Sequence, residues 1–151
     1  MLLRGIDNTE FEMKVVGYQF PHLEHEQYDS DWLNIKIRVK LPQGSWTAID
    51  PSLLTRELVS LTEWLESIAD GKRVDSEESF IEPNLRFELL EEEPKRLRVY
   101  FELESRPSWA PFDGAGMDDL WAEFEINAEE LREAAASLGE DLKQFPTRVG
   151  H

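Results

Sequence analysis

Apolar and polar residues alternate along several stretches of the chain, and this period of two predicts β-strands. The clearest stretch runs from Trp32 to Leu41, where the odd positions from 33 onward are aliphatic and the even positions from 34 onward are polar or charged. A strand with one apolar and one wet face is typical of antiparallel sheets. Similar alternation predicts further strands over 11–15, 45–49, 85–89, 97–103 and 120–126.

Two other stretches repeat their apolar residues every three or four positions, which predicts amphipathic helices. The first helix is expected from about Pro51 to Asp70, with Asp50 as its N-cap and the proline in its first turn. The second is expected from about Ala128 to Gln144, after a capping-box pattern at Asn127. The apolar stripes are Leu54, Leu58, Leu61, Leu65 and Ile68 in the first helix, and Leu131, Ala135, Leu138, Leu142 and Phe145 in the second.

The order of these elements indicates the fold class. Strands, a helix, more strands and a second helix do not give the regular alternation of a doubly wound fold. We therefore predict an α+β fold with a single, mostly antiparallel sheet and both amphipathic helices packed on one face. No repeat or flexible linker interrupts the pattern, so residues 1–151 are expected to form a single domain.

The charge of the chain limits its partners. Asp and Glu number 32 against 16 Lys and Arg, for a net charge of −16. Such a charge disfavours binding to nucleic acid or to anionic membranes and favours a basic protein partner, although solubility alone also explains it. Because no stretch of about 20 apolar residues and no signal-peptide pattern occurs, a cytoplasmic protein is expected.

The residue types do not form a known catalytic or metal motif. The chain has no Cys, and His22 and His25 lie beside Pro21 in a loop rather than four apart on a helix, so no metal site is predicted. No glycine-rich nucleotide loop or nucleophile elbow is present. We therefore expect no catalytic residue, no cofactor and no enzyme activity. The Arg and Lys residues on the strands are expected to pair with Glu across neighbouring strands.

Two loops place aromatic side chains among acidic ones, a composition typical of protein-binding surfaces. The first group of candidate partner-binding residues is Trp109, Phe112, Asp113, Asp118 and Asp119, and the second is Glu24, Glu26 and Asp29. The alternative for the first group is that Trp109 and Phe112 fold back onto the core. The alternative for the second is a solvated acidic loop.

Several short blocks, taken in order, cover most of the chain. They are Gly17-Tyr18-Gln19-Phe20-Pro21, Asp31-Trp32-Leu33-Asn34-Ile35, Trp46 through Asp50-Pro51 to Thr55, Phe80 to Leu85, Tyr100 to Glu104 with Pro107 and Trp109, and Phe145-Pro146. In this register the chain resembles the WapI-type immunity proteins. The resemblance implies a small intracellular protein that neutralises a bacterial toxin domain, often a nuclease, and is not an enzyme. The acidic composition fits that role, because nuclease domains tend to be basic.

The resemblance supplies no contact residues, and the matching residues are expected to be structural. Among them, Glu82 lies between Ile81 and Pro83 and is expected to be a buried carboxylate paired with an Arg. A second hypothesis is a housekeeping protein-interaction or oligomerisation domain with another partner. A third, an enzyme, has the least support from the residues.

Overall fold

The fold is described from a computed structural model, for residues 1–26, 29–91, 93–110 and 119–148. In these ranges the chain forms eight strands, two α-helices and one 3₁₀ turn. In chain order they are β1 (Leu2–Arg4), β2 (Glu10–Tyr18), β3 (Trp32–Leu41), β4 (Gly44–Leu54), α1 (Thr55–Ala69), β5 (Glu77–Glu78), β6 (Leu85–Leu90), β7 (Arg96–Phe101), the 3₁₀ turn (Leu103–Ser105), β8 (Leu120–Glu125) and α2 (Ala128–Gln144).

The strands form two four-stranded sheets, and every neighbouring pair of strands is antiparallel. The first sheet has the order β1-β2-β3-β4 and the second β5-β6-β7-β8. The predicted α+β class is confirmed, but the prediction of a single sheet is wrong. Period-two alternation shows which side chains face a core, and both sheets have the same pattern. The sequence therefore does not indicate that strand pairing stops at β4 and resumes at β5.

The core joins both sheets and both helices. The Phe11 ring of the first sheet lies 6.1 Å from Phe87 and 5.9 Å from Phe101 of the second. One hydrophobic cluster combines these rings with the inner faces of both sheets and with the helical stripes. The helices contact each other, and they also contact the first sheet, α1 through β4 and α2 through β1 and β2. Both helical stripes therefore belong to the core, although Leu54 lies in β4 and Leu142 and Phe145 are only partly buried.

The first helix begins later than predicted. Residues 51–54 continue β4, and Pro51 is tolerated there because β4 is an edge strand with one unpaired side. The helix begins at Thr55, where the Glu57 carboxylate accepts a hydrogen bond from the Leu54 backbone N–H at 3.0 Å. Asp50 is therefore not the N-cap.

The second helix has the predicted bounds. Asn127 is its N-cap, and the Asn127 side-chain oxygen accepts a hydrogen bond from the Glu130 backbone N–H at 2.8 Å. The Glu130 carboxylate accepts a second bond, from the Asn127 side-chain amide, at 2.7 Å. This end of the helix depends only on neighbouring residues, and the sequence pattern therefore predicts it well.

The buried polar group of the β5–β6 connection is Asn84, not Glu82. Glu82 is exposed, so the expected buried carboxylate is wrong. Asn84 is buried, and its amide donates to Asp50 at 3.0 Å and to Glu104 at 3.2 Å. These bonds join β4 of the first sheet to the region that follows β7 of the second.

Candidate functional site

Trp109 lies at one end of the molecule, half on the surface and half packed. Its side chain is 44% exposed, and its ring meets the ring of Trp46 edge to face, with centroids 5.7 Å apart. Trp46 in turn packs edge to face on the buried Phe101 at 5.1 Å and donates from its indole nitrogen to the Ser105 carbonyl at 2.8 Å. Trp109 is therefore an exposed aromatic side chain that is attached to the core through a second tryptophan.

Gly44 makes this packing possible. A Cβ atom added at Gly44 would lie 3.0 Å from two ring carbons of Trp109, which is tighter than ordinary van der Waals contact. With a side chain at this position, the indole would have to shift by a few tenths of an ångström. The loop is also held behind the ring, because the buried Arg106 donates to the Ala110 carbonyl at 3.3 Å. We call Gly44, Trp46 and Trp109, together with Asp119, whose position is described next, the tryptophan corner.

Asp119 belongs to this corner by topology. It is exposed and directly precedes β8, whose first residue, Leu120, is the register partner of Phe101. Phe101 contacts Trp46, so Asp119 and Trp109 lie at the same end of the molecule. Of the other candidates in this group, Phe112, Asp113 and Asp118 lie outside the described residues.

The second candidate group lies in the β2–β3 connection, residues 19–31, which we call the acidic loop. Glu24, Glu26 and Asp29 are exposed there. The loop is fastened by Arg148, which donates to carbonyl oxygens near both of its ends. The guanidinium donates to the carbonyls of Phe20 at 3.0 Å, Pro21 at 3.1 Å and Ser30 at 2.8 Å.

The base of the acidic loop is tied to its surroundings. The carbonyl of Asp31 accepts a bond from the Thr55 backbone N–H at 3.0 Å, and its carboxylate accepts one from the Arg148 N–H at 2.7 Å. Tyr18 donates to the Pro146 carbonyl, and burial raises the pKa of its phenol above the ordinary value even though the Arg148 guanidinium opposes that shift. The ends of the acidic loop are therefore held by hydrogen bonds, while its carboxylates Glu24, Glu26 and Asp29 are exposed.

Trp109 and the acidic loop lie at opposite ends of the first sheet. The acidic loop leads into Trp32, the first residue of β3, whereas Trp109 packs against Gly44, the register partner of Leu41 at the last residue of β3. A strand of this length spans about 30 Å. The structure therefore does not bring Trp109 and Asp119 into one compact patch with the acidic loop.

One carboxyl in the described residues has a raised pKa, but its surroundings do not suit a substrate. Burial, reinforced by the neighbouring Glu104 carboxylate, raises the pKa of Asp50. The cavity beside Asp50 and Asn84 has a volume of about 10 Å³, which is room for roughly one water molecule. In the same described ranges, no cluster of three or more acidic or histidine side chains could hold a metal ion.

The outward face of the second sheet holds an aromatic and ionic network that sequence analysis did not single out. The Arg86 guanidinium lies 3.8 Å from the Tyr100 ring centre, and that of Arg98 lies 4.9 Å from the Trp121 ring centre. Arg98 also donates to Glu123 at 2.6 Å, and this confirms the expected cross-strand pairing. The sequence signal for this network is the outward position of Tyr100 and Trp121, which lie on neighbouring strands.

Comparison with known proteins identifies the family. No helix in the described ranges has the length and apolar character needed to cross a membrane. Neither a curated protein nor a solved structure matches the chain. The model of the immunity protein WapI-like family matches residues 1–146, nearly the whole chain. The chain therefore belongs to the WapI-like immunity protein family.

Proposed function

We propose that this chain is an immunity protein that neutralises a bacterial toxin domain by direct protein–protein contact. The family match over residues 1–146 carries the proposal. On this proposal the chain acts by occupying the toxin rather than by catalysis, and it needs no cofactor or metal. It acts as a single domain in the cytoplasm of the cell that makes the toxin.

The partner we propose is a basic, nuclease-like domain. The net charge of −16 supports this choice, because opposite charges attract the two proteins before contact and raise the association rate. Nuclease domains carry basic surfaces for their phosphate substrates. An acidic immunity protein therefore competes for the surface that the nucleic acid would use.

The proposed contact residues lie in the tryptophan corner and the acidic loop. Trp109 is a suitable anchor, because it is exposed over nearly half of its surface while Trp46 and Gly44 hold its other side. Asp119 and the acidic loop supply charge around such an anchor. Phe112, Asp113 and Asp118 stay in the proposal as sequence-based candidates.

The test begins with the genes that flank the one for this chain, and any toxin-like domain that they encode is the candidate partner. The candidate domain is expressed with and without this chain, and growth of the host is measured. Rescue of growth, together with a stable one-to-one complex of the purified proteins, is expected. A matched control replaces this chain with an unrelated protein of similar size and charge.

Two results would contradict the proposal. One is a toxic domain whose activity is unchanged in the presence of excess chain. The other is rescue without a complex, since neutralisation by contact requires binding. If the neighbouring domain is harmless and a different cellular protein forms the complex, the alternative of a housekeeping interaction domain replaces this one.

A further inference from the structure

The outward face of the first sheet carries more cations than acids, in contrast to the chain as a whole. Side chains that alternate with the buried ones on β1, β2 and β3 point away from the core, and most of those with charge are cations. The cations are Arg4, Lys14, Lys36, Arg38 and Lys40, and the acids between them are Glu10 and Glu12. In a chain with a net charge of −16, this face is a local reversal of charge.

Ion pairing leaves two lysines of this face without a carboxylate. Arg38 pairs with Glu12 at 3.4 Å, and Glu10 is shared by Arg4 at 3.7 Å and Lys40 at 3.8 Å. Lys14 and Lys36 have no carboxylate within ion-pair distance in the described ranges.

These two lysines are direct register partners across β2 and β3, and both are exposed. Like charges placed directly opposite each other destabilise a sheet. The arrangement therefore has a cost in the free chain that an anionic partner would remove.

Exposed aliphatic side chains flank the two lysines. Ile49 is the register partner of Lys36 on β4 and is 58% exposed. Val16, two residues after Lys14 on β2, is also exposed. We call Lys14, Val16, Lys36 and Ile49 the basic face. It combines two positive charges with two apolar contacts across three adjacent strands.

We propose that the basic face binds a protein segment that carries carboxylates beside aliphatic side chains. Carboxylates would lie over Lys14 and Lys36, and aliphatic groups would cover Val16 and Ile49. This contact goes beyond the proposed toxin contact, because the acidic loop and the tryptophan corner suit a basic partner, whereas the basic face suits an acidic one.

A protein segment suits this face better than a nucleic acid does. Glu10 and Glu12 lie within the same outward face, and acidic residues dominate the rest of the chain. A long phosphate backbone would meet these negative charges. A short segment needs to cover only the two lysines and the two aliphatic side chains, and the nearby Glu12 carboxylate is already paired with Arg38.

The test is a titration of the isotope-labelled protein, followed by NMR at physiological salt. The probe is a short synthetic peptide of Glu and Val with blocked ends. The expected result is saturable binding with chemical-shift changes centred on the four residues of the basic face. The Lys14→Glu/Lys36→Glu variant should bind the peptide about tenfold more weakly or worse, since two ion pairs become repulsive.

A matched control separates this contact from the effect of net charge. Lys72→Glu/Lys143→Glu changes the total charge by the same amount at two exposed lysines elsewhere, and its affinity should stay within about twofold of wild type. Lys14→Gln/Lys36→Gln removes the charge without inverting it, and it should also weaken binding if the first variant does not fold.

Four results would overturn the proposal. They are no saturable binding of the peptide, shifts centred on other residues, an equal loss in the control variant, or tighter binding of a single-stranded oligonucleotide of the same charge. The last result would identify the basic face as a nucleic-acid surface. None of these results depends on the toxin, so the proposed immunity function stands or falls separately.

Discussion

The guanidinium of Arg148 lies 3.6 Å from the ring centre of Tyr18, at the point where the two ends of the acidic loop meet. The same group donates to the carbonyls of Phe20 and Pro21 on one side and of Ser30 on the other. This side chain therefore bridges the two ends of the loop, in addition to the backbone hydrogen bond from Gln19 to Trp32. Because the guanidinium is planar and presents several N–H donors, it can bond to carbonyls in several directions at once.

Replacement of Arg148 by Ala should open the acidic loop. The variant loses the cation–π contact and the charged hydrogen bonds, and the free energy of unfolding should fall by about 1–2 kcal/mol. Hydrogen exchange should rise in residues 19–26 and 29–31 while the strands of the second sheet keep their protection. Arg148→Lys keeps the charge but not the fork of donors, so it should restore only part of the protection. Unchanged exchange in the Ala variant would show that the loop is held by other contacts.

Substitution of Gly44 by Ala should displace the Trp109 ring. The added methyl group would lie about 3.0 Å from the indole, and such overpacking typically costs about 1–3 kcal/mol. The same substitution in a Trp109→Ala background should cost less, because the ring it meets is absent, and the remaining cost comes from the Gly44 backbone, whose φ of +158° L side chains rarely adopt. Chemical denaturation of the four proteins in this cycle gives the coupling energy.

Gly139→Ala is the matched control for that cycle. Gly139 lies within α2, and an added Cβ there would meet nothing within 4 Å. The change should stabilise the protein by about 0.5–1 kcal/mol, because alanine favours a helix. A cost of Gly44→Ala that is equally large without Trp109 would locate the strain entirely in the backbone of the strand.

Truncation of the helical stripes should be costly. Leu61 and Leu138 are fully buried, so Leu61→Ala and Leu138→Ala should each lower the free energy of unfolding by about 2–5 kcal/mol. Val59→Ala, on the exposed side of α1, is the matched control and should cost much less. Values below about 0.5 kcal/mol for both leucines would be incompatible with their place in the core.

Asp50 should make the protein less stable as the pH rises. Its pKa is raised in the folded state by burial and by Glu104, so the folded protein favours the protonated form. The stability that this group contributes is present below its ordinary pKa of about 3.9 and is lost as the pH rises through the raised folded value.

Asp50→Asn carries no charge at either pH, so its stability relative to wild type should increase between about pH 4 and about pH 7. Urea denaturation at both pH values measures this difference, and Glu63→Gln on the exposed side of α1 is the control. A constant difference between variant and wild type would contradict the raised pKa.

Charge and anchor should act on different rate constants of toxin binding. Glu24→Gln/Glu26→Gln/Asp29→Asn should slow association and flatten its salt dependence, because charge acts before contact. Trp109→Ala should speed dissociation and, if Trp109 is a hot spot, weaken binding by about 2 kcal/mol or more. Surface plasmon resonance over a range of salt concentrations separates the two effects. An association rate that does not depend on salt in the wild type would exclude the electrostatic part.

Features that depend on neighbouring residues follow from the sequence, and features that depend on distant pairing do not. The second helix begins where the pattern of Asn127 and Glu130 predicts. The first helix was misplaced because Pro51 suits both the first turn of a helix and an edge strand. Only the pairing of residues 51–54 with β3 distinguishes the helix from the strand, and the partner residues on β3 are distant in sequence.

Only part of the candidate site is predictable from the sequence. Composition singles out Trp109 and the acidic loop as unusual, and their exposure agrees with a surface role. Nothing in the sequence indicates that Arg148 reaches the acidic loop or that Gly44 supports the indole. The sequence also does not predict that Lys14 lies opposite Lys36. Their pairing depends on the register between β2 and β3, and the alternation of apolar and polar residues does not determine that register.

The distance between the acidic loop and the tryptophan corner has an evolutionary consequence. Each end is fastened by its own arginine, Arg148 at one and Arg106 at the other, and the rigid strand β3 lies between them. A substitution at one end is therefore expected to leave the shape of the other unchanged. If both ends contact the toxin, as proposed above, the two contacts can change independently in evolution, so that one keeps binding while the other varies in sequence.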